Sequence, residues 1–456
     1  MNINSKIEEQ QKFFDSGVTK SLNFRISALK KLKEAILFYE EDIYLSLKTD
    51  LNKNRQEAYM TEIHMVLAEI QHTLKHLKKW SKPKRVTSGL LNFPSKAFIK
   101  TEPYGIVLVI SPWNYPFQLL FSPLVGAISG GNCVILKPSE ISEATTEVSI
   151  KIIERAFEPN FVSIIPGGVD VTTELLSQKT DYIFFTGSTM VGKIVAKAAA
   201  ENLTPVTLEL GGKSPCIVDK GCDLKLAAKR IVWGKLLNGG QTCVAPDYLY
   251  IHNDVKEQFI NLFIKYAKEF YGEDPGTHDH YCKVITKKHY DRLTQLLKDG
   301  KVIYGGGVHK ENQKIHPTLL EDCPQDSRVM TEEIFGPIFP IITFSNIKEI
   351  PVYVKKSGKP LALYIFSKNI KNIGYIVEHT SSGGVCVNDV ISHLVSSNLP
   401  FGGVGDSGTG AYHGIDSFKT FTHNKSVLYK GTFDPKIKFP PYKNETSVIK
   451  LLKKLL

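Results

Sequence analysis

The stretch Ile106–Asn114 reads IVLVISPWN, five apolar residues followed at once by a polar turn. An apolar run without polar alternation is typical of a strand that is buried on both faces, as in a parallel sheet covered by helices. Four similar runs follow at intervals long enough for helices, at residues 133–136, 161–165, 182–185 and 206–210. The pattern therefore predicts an α/β fold built on a parallel sheet.

Each of the five runs ends in a polar or glycine-rich segment. These segments are Ser111–Asn114, Lys137–Glu140, Pro166–Gly168, Thr186–Ser188 and Glu209–Gly212. Ligands of open parallel sheets bind outside the carboxyl ends of the strands. We therefore expect the chemistry of this protein at these five strand ends.

A second α/β pattern begins after Gly212. A stretch with helical periodicity, 224–237, leads to a glycine-rich turn that carries Cys243. Strand-like runs follow at residues 248–251, 338–344, 361–366 and 384–387. A chain of 456 residues is longer than one core usually fills, so a second domain is expected.

The composition is that of a folded globular protein, with 42% hydrophobic and 23% charged residues. Its seven cysteines include no Cys-x-x-Cys pair and no cluster at metal-ligand spacing, which argues against a zinc site or a disulfide framework. Residues 1–11 contain no apolar signal core, and no stretch is long and apolar enough to span a bilayer. The sequence thus predicts a cytoplasmic protein with no metal site and no stable membrane anchor.

The net charge of +11 raises the question of nucleic-acid or membrane binding. Much of the excess is local, because residues 436–456 contain six lysines and a single glutamate. No nucleic-acid-binding motif accompanies these lysines. We therefore interpret them as a solvated basic face, expect no nucleic-acid partner, and keep a surface binder as an alternative.

Two segments fit a nucleotide. Gly187–Gly192, GSTMVG, follows a strand run and opens a segment of helical periodicity, where N–H groups can receive a phosphate. A purely structural turn explains this segment equally well. Lys137 and Glu140 follow the neighbouring strand, where together they could hold a ribose, although such residues are usually solvated surface.

Cys243 and Glu209 are the candidates for covalent and acid–base chemistry. Glycines precede Cys243, which allows a substrate to approach both its sulfur and a backbone N–H. Glu209 lies in the otherwise apolar run 206–210, where burial should raise its pKa toward the range of a general base. An inert buried thiol and a strand-end salt bridge are the competing interpretations.

Seven motifs then occur in one order along the chain. They are Pro112–Asn114, Lys137–Glu140, Phe185–Ser188, Leu208–Gly212, Gly240–Cys243, Glu333–Pro337 and Leu399–Gly403. In this order they resemble the aldehyde dehydrogenase superfamily, from near the start of the chain to about Leu428. Val387–Asp389 and Ala411–Gly414 most resemble the class-3 branch, whose members are often dimers acting on medium- and long-chain aliphatic or aromatic aldehydes.

The resemblance implies NAD as the cofactor, with NADP also possible, and a role for each matched residue. Cys243 would be the nucleophile, Glu209 the general base, and Asn114 with the Cys243 N–H the oxyanion hole. The cofactor would be bound by Trp113, Lys137, Glu140, Gly187, Ser188, Gly192, Glu333 and Phe335. The substrate funnel would be lined by Tyr115, Ile391, Phe401 and His413.

The resemblance also implies a Rossmann-like cofactor domain, a second α/β catalytic domain and a small β-arm for oligomerisation. The expected bounds are 1–80 and 102–210 for the NAD(P)-binding domain, 211–400 for the catalytic domain, 81–101 and 420–435 for the arm, and 436–456 for a basic tail. Within the arm we expect 97–101 and 426–430 to pair. The implied partners are a small-molecule aldehyde and a second copy in a homodimer.

Two rival functions are a CoA-acylating dehydrogenase and a non-catalytic binding protein on the same fold. The carboxylate at Glu209 argues against the first, and the complete set of Cys243, Glu209 and Asn114 argues against the second. The tail places Val448, Ile449, Leu451, Leu452, Leu455 and Leu456 on one side of a short helix. We expect this helix to dock on the folded body rather than on anionic lipid, because two or three turns are unstable alone in water.

Overall fold

The computed structural model describes residues 3–89, 92–434, 438–442 and 445–454. The α-helices are α1 (Ile3–Asp15), α2 (Leu22–Phe38), α3 (Glu40–Leu51), α4 (Arg55–Ala58), α5 (His64–Trp80), α6 (Gln118–Gly130), α7 (Glu143–Ala156), α8 (Val169–Ser177), α9 (Thr189–Glu201), α10 (Leu224–Leu236), α11 (Lys256–Tyr271), α12 (Lys287–Leu296), α13 (Arg328–Thr331), α14 (Ile350–Lys356), α15 (Ile370–His379), α16 (Gly414–Thr420) and α17 (Glu445–Lys454). None of the helices in these ranges is long and apolar enough to cross a membrane.

The strands complete the element order. They are β1 (Lys84–Val86), β2 (Ser95–Pro103), β3 (Ile106–Ile110), β4 (Cys133–Lys137), β5 (Val162–Ile164), β6 (Tyr182–Thr186), β7 (Val206–Glu209), β8 (Pro215–Val218), β9 (Tyr248–His252), β10 (Lys301–Tyr304), β11 (Val308–His309), β12 (Lys314–Ile315), β13 (Thr318–Glu321), β14 (Ile338–Phe344), β15 (Ala362–Phe366), β16 (Gly384–Val387), β17 (Gly408–Thr409) and β18 (Thr422–Lys430). The predicted α/β fold is confirmed.

The chain divides into two units. Unit 1 contains residues 1–80 and 103–423, and unit 2 contains residues 81–102 and 424–456. Unit 1 holds both large sheets. Its division into a cofactor domain and a catalytic domain at residue 210 stays a prediction.

The first sheet of unit 1 has the strand order β17-β7-β6-β3-β4-β5. β3 to β7 run parallel and are the five apolar runs of the sequence, while the short β17 is antiparallel to β7. The chain moves from β3 outward to β5 and then returns to β6 on the other side of β3. The order reverses between β3 and β6, which is where such sheets bind ligands.

The second sheet of unit 1 has the order β10-β13-β14-β9-β8-β15-β16. Its four predicted strands are present as β9, β14, β15 and β16, and α10 occupies the predicted helix 224–237. Sequence analysis missed β8, β10 and β13. β8 starts at Pro215, which is permitted at the first position of a strand but reads as a breaker in the sequence.

Unit 2 contains a three-stranded sheet in the order β1-β2-β18. β1 and β2 are antiparallel, with Lys84 opposite Ile99. β2 neighbours β18, so the predicted pairing of 97–101 with 426–430 is confirmed. The Phe98 and Tyr429 rings meet edge to face at 6.1 Å across this pair. α17 covers the expected tail helix, but the prediction that this helix docks rests on side chains at 451, 452, 455 and 456, which lie outside the described residues.

Candidate active site

Cys243 follows a turn whose backbone is left-handed, a conformation that most residues avoid. After α10, Asn238, Gly239 and Gly240 have φ values of 54°, 63° and 77°, so three successive residues are left-handed. A side chain at Gly240 would collide with the backbone carbonyl of Gly336. The turn therefore needs Asn, which tolerates this conformation, followed by glycines. It delivers a half-buried Cys243 to the base of a cleft.

Hydrogen bonds hold Asn114 against this turn. Asn114 Nδ2 donates to the Gln241 carbonyl at 3.0 Å, and Asn238 Nδ2 donates to the Asn114 carbonyl at 2.7 Å. An amide nitrogen carries two hydrogens. Within the described part of the chain Asn114 Nδ2 makes this one bond, so its second hydrogen remains for a ligand beside Cys243.

An apolar cavity of about 360 Å³ opens on one side of the sulfur. All four residues proposed from sequence for the substrate funnel line it, together with Cys243: Tyr115, Ile391, Phe401 and His413. Sequence analysis missed Met60, Met65 and Trp233, which also line the cavity. Met60 lies in the helical turn Tyr59–Ile63, Met65 on α5 and Trp233 on α10. Their apolar character is indistinguishable in sequence from that of core-facing helix positions.

A more polar cavity of about 320 Å³ opens on the other side of the sulfur. Eight of the residues singled out from sequence line it: Trp113, Asn114, Gly187, Ser188, Glu209, Cys243, Glu333 and Phe335. The centroid of the Trp113 ring lies 5.0 Å from that of the His289 ring and 5.4 Å from that of the Phe335 ring. His289 and Arg292 also line this cavity, and sequence analysis missed both because nothing in their local pattern marks them.

Lys137, Glu140 and Gly192 do not line the polar cavity. Lys137 is almost fully buried at the end of β4, with its ammonium 2.6 Å from the Pro138 carbonyl and 3.7 Å from the Glu140 carboxylate. Desolvation lowers the pKa of Lys137, against the raising effect of Glu140. A Cβ on Gly192 would lie 2.7 Å from Leu210 Cδ2, so this glycine allows α9 to pack closely on the strand ends.

Burial dominates the electrostatics around the sulfur. It raises the pKa of the Cys243 thiol to about 12, and the carboxylates of Glu333 and Glu209 add to the rise. Burial also raises the pKa of Glu209 well above its ordinary value. The pKa of Glu333 rises to about 8, first through burial and then through Asp247. More of each group is ionised as pH rises, so a reaction that needs their charged forms is favoured at alkaline pH.

A buried charged network supports the turn from behind. Glu57 Oε1 accepts the Asn238 backbone N–H at 2.8 Å. Lys53 Nζ lies 2.6 Å from Glu62 Oε1 with both side chains fully buried, and it also lies over the Tyr115 ring at 4.2 Å. Sequence analysis missed this network. Glu57 and Glu62 lie at helical positions that otherwise face the core, and Lys53 lies in the short connection between α3 and α4.

The comparisons with known proteins agree on one family. A model of the aldehyde dehydrogenase family matches residues 1–427. The chain is 46% identical over 451 residues to the 4,4'-diaponeurosporen-aldehyde dehydrogenase of Staphylococcus aureus, with 98% of each chain covered. It is 45% identical over 443 residues to the dimeric NADP-preferring aldehyde dehydrogenase of Rattus norvegicus, with 96% of this chain and 98% of that one covered.

The solved structures agree as well. A substrate-bound structure of Staphylococcus aureus AldH is similar with a TM-score of 0.97 and 46% identity, over 99% of this chain and 100% of that one. The resemblance seen in the seven motifs is thus confirmed, and with it NAD(P)-dependent oxidation of aldehydes. Cys243, which lines both cavities, lies within the range that the family model matches. The match covers most of the chain, and this chain therefore belongs to the aldehyde dehydrogenase family.

Proposed function

We propose that this enzyme oxidises long, apolar aldehydes to carboxylic acids through a thioester at Cys243. The position of Cys243 carries the proposal, because it lines both the apolar cavity and the polar cavity. An aldehyde held in the first cavity meets the sulfur from one side. A cofactor held in the second cavity meets the same carbon from the other side.

The first step is addition of the Cys243 thiolate to the aldehyde carbon, which turns the carbonyl oxygen into an oxyanion. We assign Asn114 Nδ2 and the Cys243 backbone N–H as its hydrogen-bond donors. One such donor contributes about 3–4 kcal/mol in other enzymes. Because the Gln241 carbonyl accepts from the Asn114 amide and Asn238 donates to the Asn114 backbone carbonyl, the Asn114 side chain needs little reorganisation to act.

The polar cavity fits a nicotinamide dinucleotide. It combines the Trp113 and Phe335 rings with the Glu333 carboxylate and the start of α9, a 13-residue helix capped by the Ser188 side chain. Helix N-termini of this kind bind phosphate. When bound, NAD(P)⁺ accepts the hydride that leaves the substrate carbon.

The two proposed ribose contacts lie in different places, because Glu333 lines the polar cavity whereas Lys137 and Glu140 lie outside it at the end of β4. We assign Glu333 to the ribose on the nicotinamide side and Lys137 with Glu140 to the adenosine ribose. A carboxylate at Glu140 accepts hydrogen bonds from ribose hydroxyls but repels a 2′-phosphate. We therefore propose a preference for NAD⁺ with measurable use of NADP⁺.

Glu209 is the base proposed for hydrolysis of the thioester. It is 3% exposed, and neither carboxylate oxygen has a hydrogen-bond partner among the described residues. A buried carboxylate of raised pKa can take a proton from water, whose oxygen then bonds to the acyl carbon. The carbon–sulfur bond breaks, the carboxylic acid leaves, and Cys243 is regenerated.

The lining of the apolar cavity supports a long-chain substrate. Met60, Met65, Leu237 and Leu394 face the same space as the aromatic Phe401. Methionine adapts to irregular apolar shapes, and a cavity of this size holds a ligand well beyond a few carbon atoms. A polar aldehyde would find few hydrogen-bond partners there.

We further propose that the enzyme is a cytoplasmic homodimer. The sheet of unit 2 leaves β1 and β18 as edge strands, and open edges are templates for pairing with a second chain. The name of the rat relative describes that protein as dimeric. All seven cysteines are free, which suits a reducing compartment.

The experiment is a reduced-cofactor absorbance assay over a series of aldehydes of rising chain length, with NAD⁺ and NADP⁺ in parallel. The aldehyde in the name of the Staphylococcus aureus relative belongs in this series. We expect kcat/KM to rise with apolar chain length. A preference for short polar aldehydes would contradict the substrate proposal, and cofactor binding without turnover would favour the non-catalytic alternative.

An assay with added CoA distinguishes hydrolysis of the thioester from the CoA-acylating alternative. With Glu209 as the hydrolytic base, added CoA should neither accelerate turnover nor appear in the product. Formation of acyl-CoA in place of the free acid would support the CoA-acylating alternative and overturn the role of Glu209.

A further inference from the structure

Two histidines and an aspartate meet in unit 1 among residues that line neither cavity at Cys243. Asp274 lies in the loop after α11, His309 ends β11, and His316 follows β12. Asp274 Oδ1 is 3.0 Å from His309 Nε2 and 2.9 Å from His316 Nε2, and the two Nε2 atoms are 3.1 Å apart. We propose that Asp274, His309 and His316 bind a divalent first-row transition-metal ion, with Zn²⁺ as its stable representative.

The β11–β12 hairpin positions the two imidazoles. β11 and β12 are antiparallel, with His309 opposite Lys314, and the His316 N–H donates to the Gly307 carbonyl at 2.9 Å. His309 and His316 are therefore diagonal neighbours on one face of the hairpin. The ring planes are 12° from parallel and the ring centroids are 5.2 Å apart, whereas the Nε2 atoms are only 3.1 Å apart, so the two rings turn their Nε2 edges toward each other.

Two glycines make the room that these rings need. A Cβ on Gly276 would collide with Cδ2 and Nε2 of His309, and a Cβ on Gly307 would lie 2.8 Å from His316 Nδ1. The Gly276 N–H also donates to Asp274 Oδ1 at 3.0 Å, while Thr277 Oγ1 lies 3.3 Å from Oδ2. The carboxylate is thus oriented by its own loop, as ligating carboxylates in metal sites are.

The spacing of the three atoms suits a metal centre. With metal–ligand bonds of about 2.0–2.2 Å, two ligand atoms lie about 2.9 Å apart at a right angle and about 3.4 Å apart in a tetrahedron. The three observed separations, 2.9, 3.0 and 3.1 Å, lie near the right-angle value, so the three atoms are spaced as adjacent ligands of an octahedral rather than a tetrahedral centre. Two imidazole nitrogens and one carboxylate oxygen are a donor set that Zn²⁺ and its neighbours accept.

The charge and the solvent exposure of the three side chains also favour binding of a cation. A single carboxylate oxygen, Asp274 Oδ1, faces both imidazoles, and its negative charge would attract a cation placed among the three ligand atoms. The side chains are 45%, 33% and 20% exposed for Asp274, His309 and His316, so an ion can enter from solvent and retain water ligands.

The ion would join the loop after α11 to the hairpin. Further along that loop, Val284 N–H donates to the Gln313 carbonyl in the hairpin turn at 2.8 Å. The Gln241 side chain, two residues from Cys243, donates to the Lys283 carbonyl at 3.0 Å and accepts the Ile285 N–H at 3.1 Å. The ion therefore acts as a structural clamp on a segment that supports the turn carrying Cys243.

The test is Zn²⁺ binding to metal-free, untagged full-length enzyme by calorimetry, with thermal unfolding in parallel. We expect one Zn²⁺ per chain at this site and a rise in the unfolding temperature, because an ion that binds the folded state stabilises it. His309→Gln and His316→Gln should each weaken that binding at least tenfold and remove the temperature rise. His280→Gln, an exposed histidine of the same loop, is the matched control and should keep both.

Two further measurements test whether the ion is bound by the histidines and the aspartate or by a cysteine. Co²⁺ bound by imidazole and carboxylate lacks the charge-transfer absorption of a cobalt–thiolate bond, so that absorption at stoichiometric Co²⁺ would assign binding to a cysteine and overturn the proposal. Gly276→Ala should displace the His309 ring and weaken binding without removing any ligand. Aldehyde oxidation by each variant without metal confirms that it is folded, and unchanged Zn²⁺ binding in both histidine variants would refute the site.

Discussion

Replacement of Glu209 by glutamine tests the proposed mechanism most directly, because the two side chains have almost the same shape. Glu209 is 3% exposed, and its carboxylate oxygens have no hydrogen-bond partner among the described residues. Glu209→Gln therefore breaks no internal hydrogen bond. It removes the ionisable carboxyl group, and with it the ability to accept a proton in the cleft beside Cys243, and puts an amide of almost the same shape in its place.

The size of the effect follows from the role of the base. A positioned general base contributes about 10²–10⁴-fold to a proton-transfer step, so steady-state turnover should fall by that factor. Thioester formation does not use Glu209. Rapid mixing should therefore still show a burst of about one reduced cofactor per active site, followed by the slow rate.

The direction in which Glu209→Gln changes the stability of the folded protein can also be predicted. Burial raises the pKa of Glu209 in the folded state, so above its unfolded pKa the carboxyl group destabilises the folded protein. Glu209→Gln removes this penalty, and the midpoint of urea unfolding should rise or stay unchanged at pH 8. Below the unfolded pKa, where both states are protonated, the difference should vanish.

The pH profile provides a third readout. In the wild type, deacylation should accelerate as pH rises through the raised pKa of Glu209, because its deprotonated form is the base. This rise should be absent from the slow phase of Glu209→Gln. Equal loss of the burst and of steady-state turnover, with folding intact, would refute the assignment of Glu209 to deacylation.

Three further predictions concern other parts of the chain. Cys243→Ser should abolish aldehyde oxidation while NAD⁺ still binds by fluorescence titration, whereas Cys386→Ser should stay active; substantial turnover in the Cys243 variant would contradict the mechanism. Glu140→Gln should shift the ratio of kcat/KM values toward NADP⁺, and a tenfold NADP⁺ preference in the wild type would be inconsistent with the role of Glu140. Truncation after Phe439 should change the chain-length preference or the stability of the dimer, and salt-sensitive binding of the full-length protein to anionic vesicles would argue against docking of the tail.

The sequence alone was enough to predict the parallel sheet formed by β3 to β7. Apolar runs such as Ile106–Ile110 are buried on both faces, and this local property is enough to predict β3 to β7. The strand ends also indicated Asn114 and Glu209 as candidates, because ligands of such sheets bind outside the carboxyl ends of the strands, and the family resemblance gave each a proposed role. The seven ordered motifs added the family, since each motif reflects a backbone or side-chain requirement of one shared site.

Only the tertiary structure decided how distant segments meet. The Asn114 side chain and the Gln241 carbonyl are 127 residues apart in sequence, and His316 and Asp274 are 42 apart, yet both pairs lie within hydrogen-bonding distance. No local periodicity encodes such contacts. The contribution of Met60 and Met65 to the apolar cavity was equally hidden, because a methionine facing a cavity and one facing the core satisfy the same helical pattern. Hydrophobic patterning specifies which face of an element is buried, whereas the surface that buries it is specified only when the chain packs.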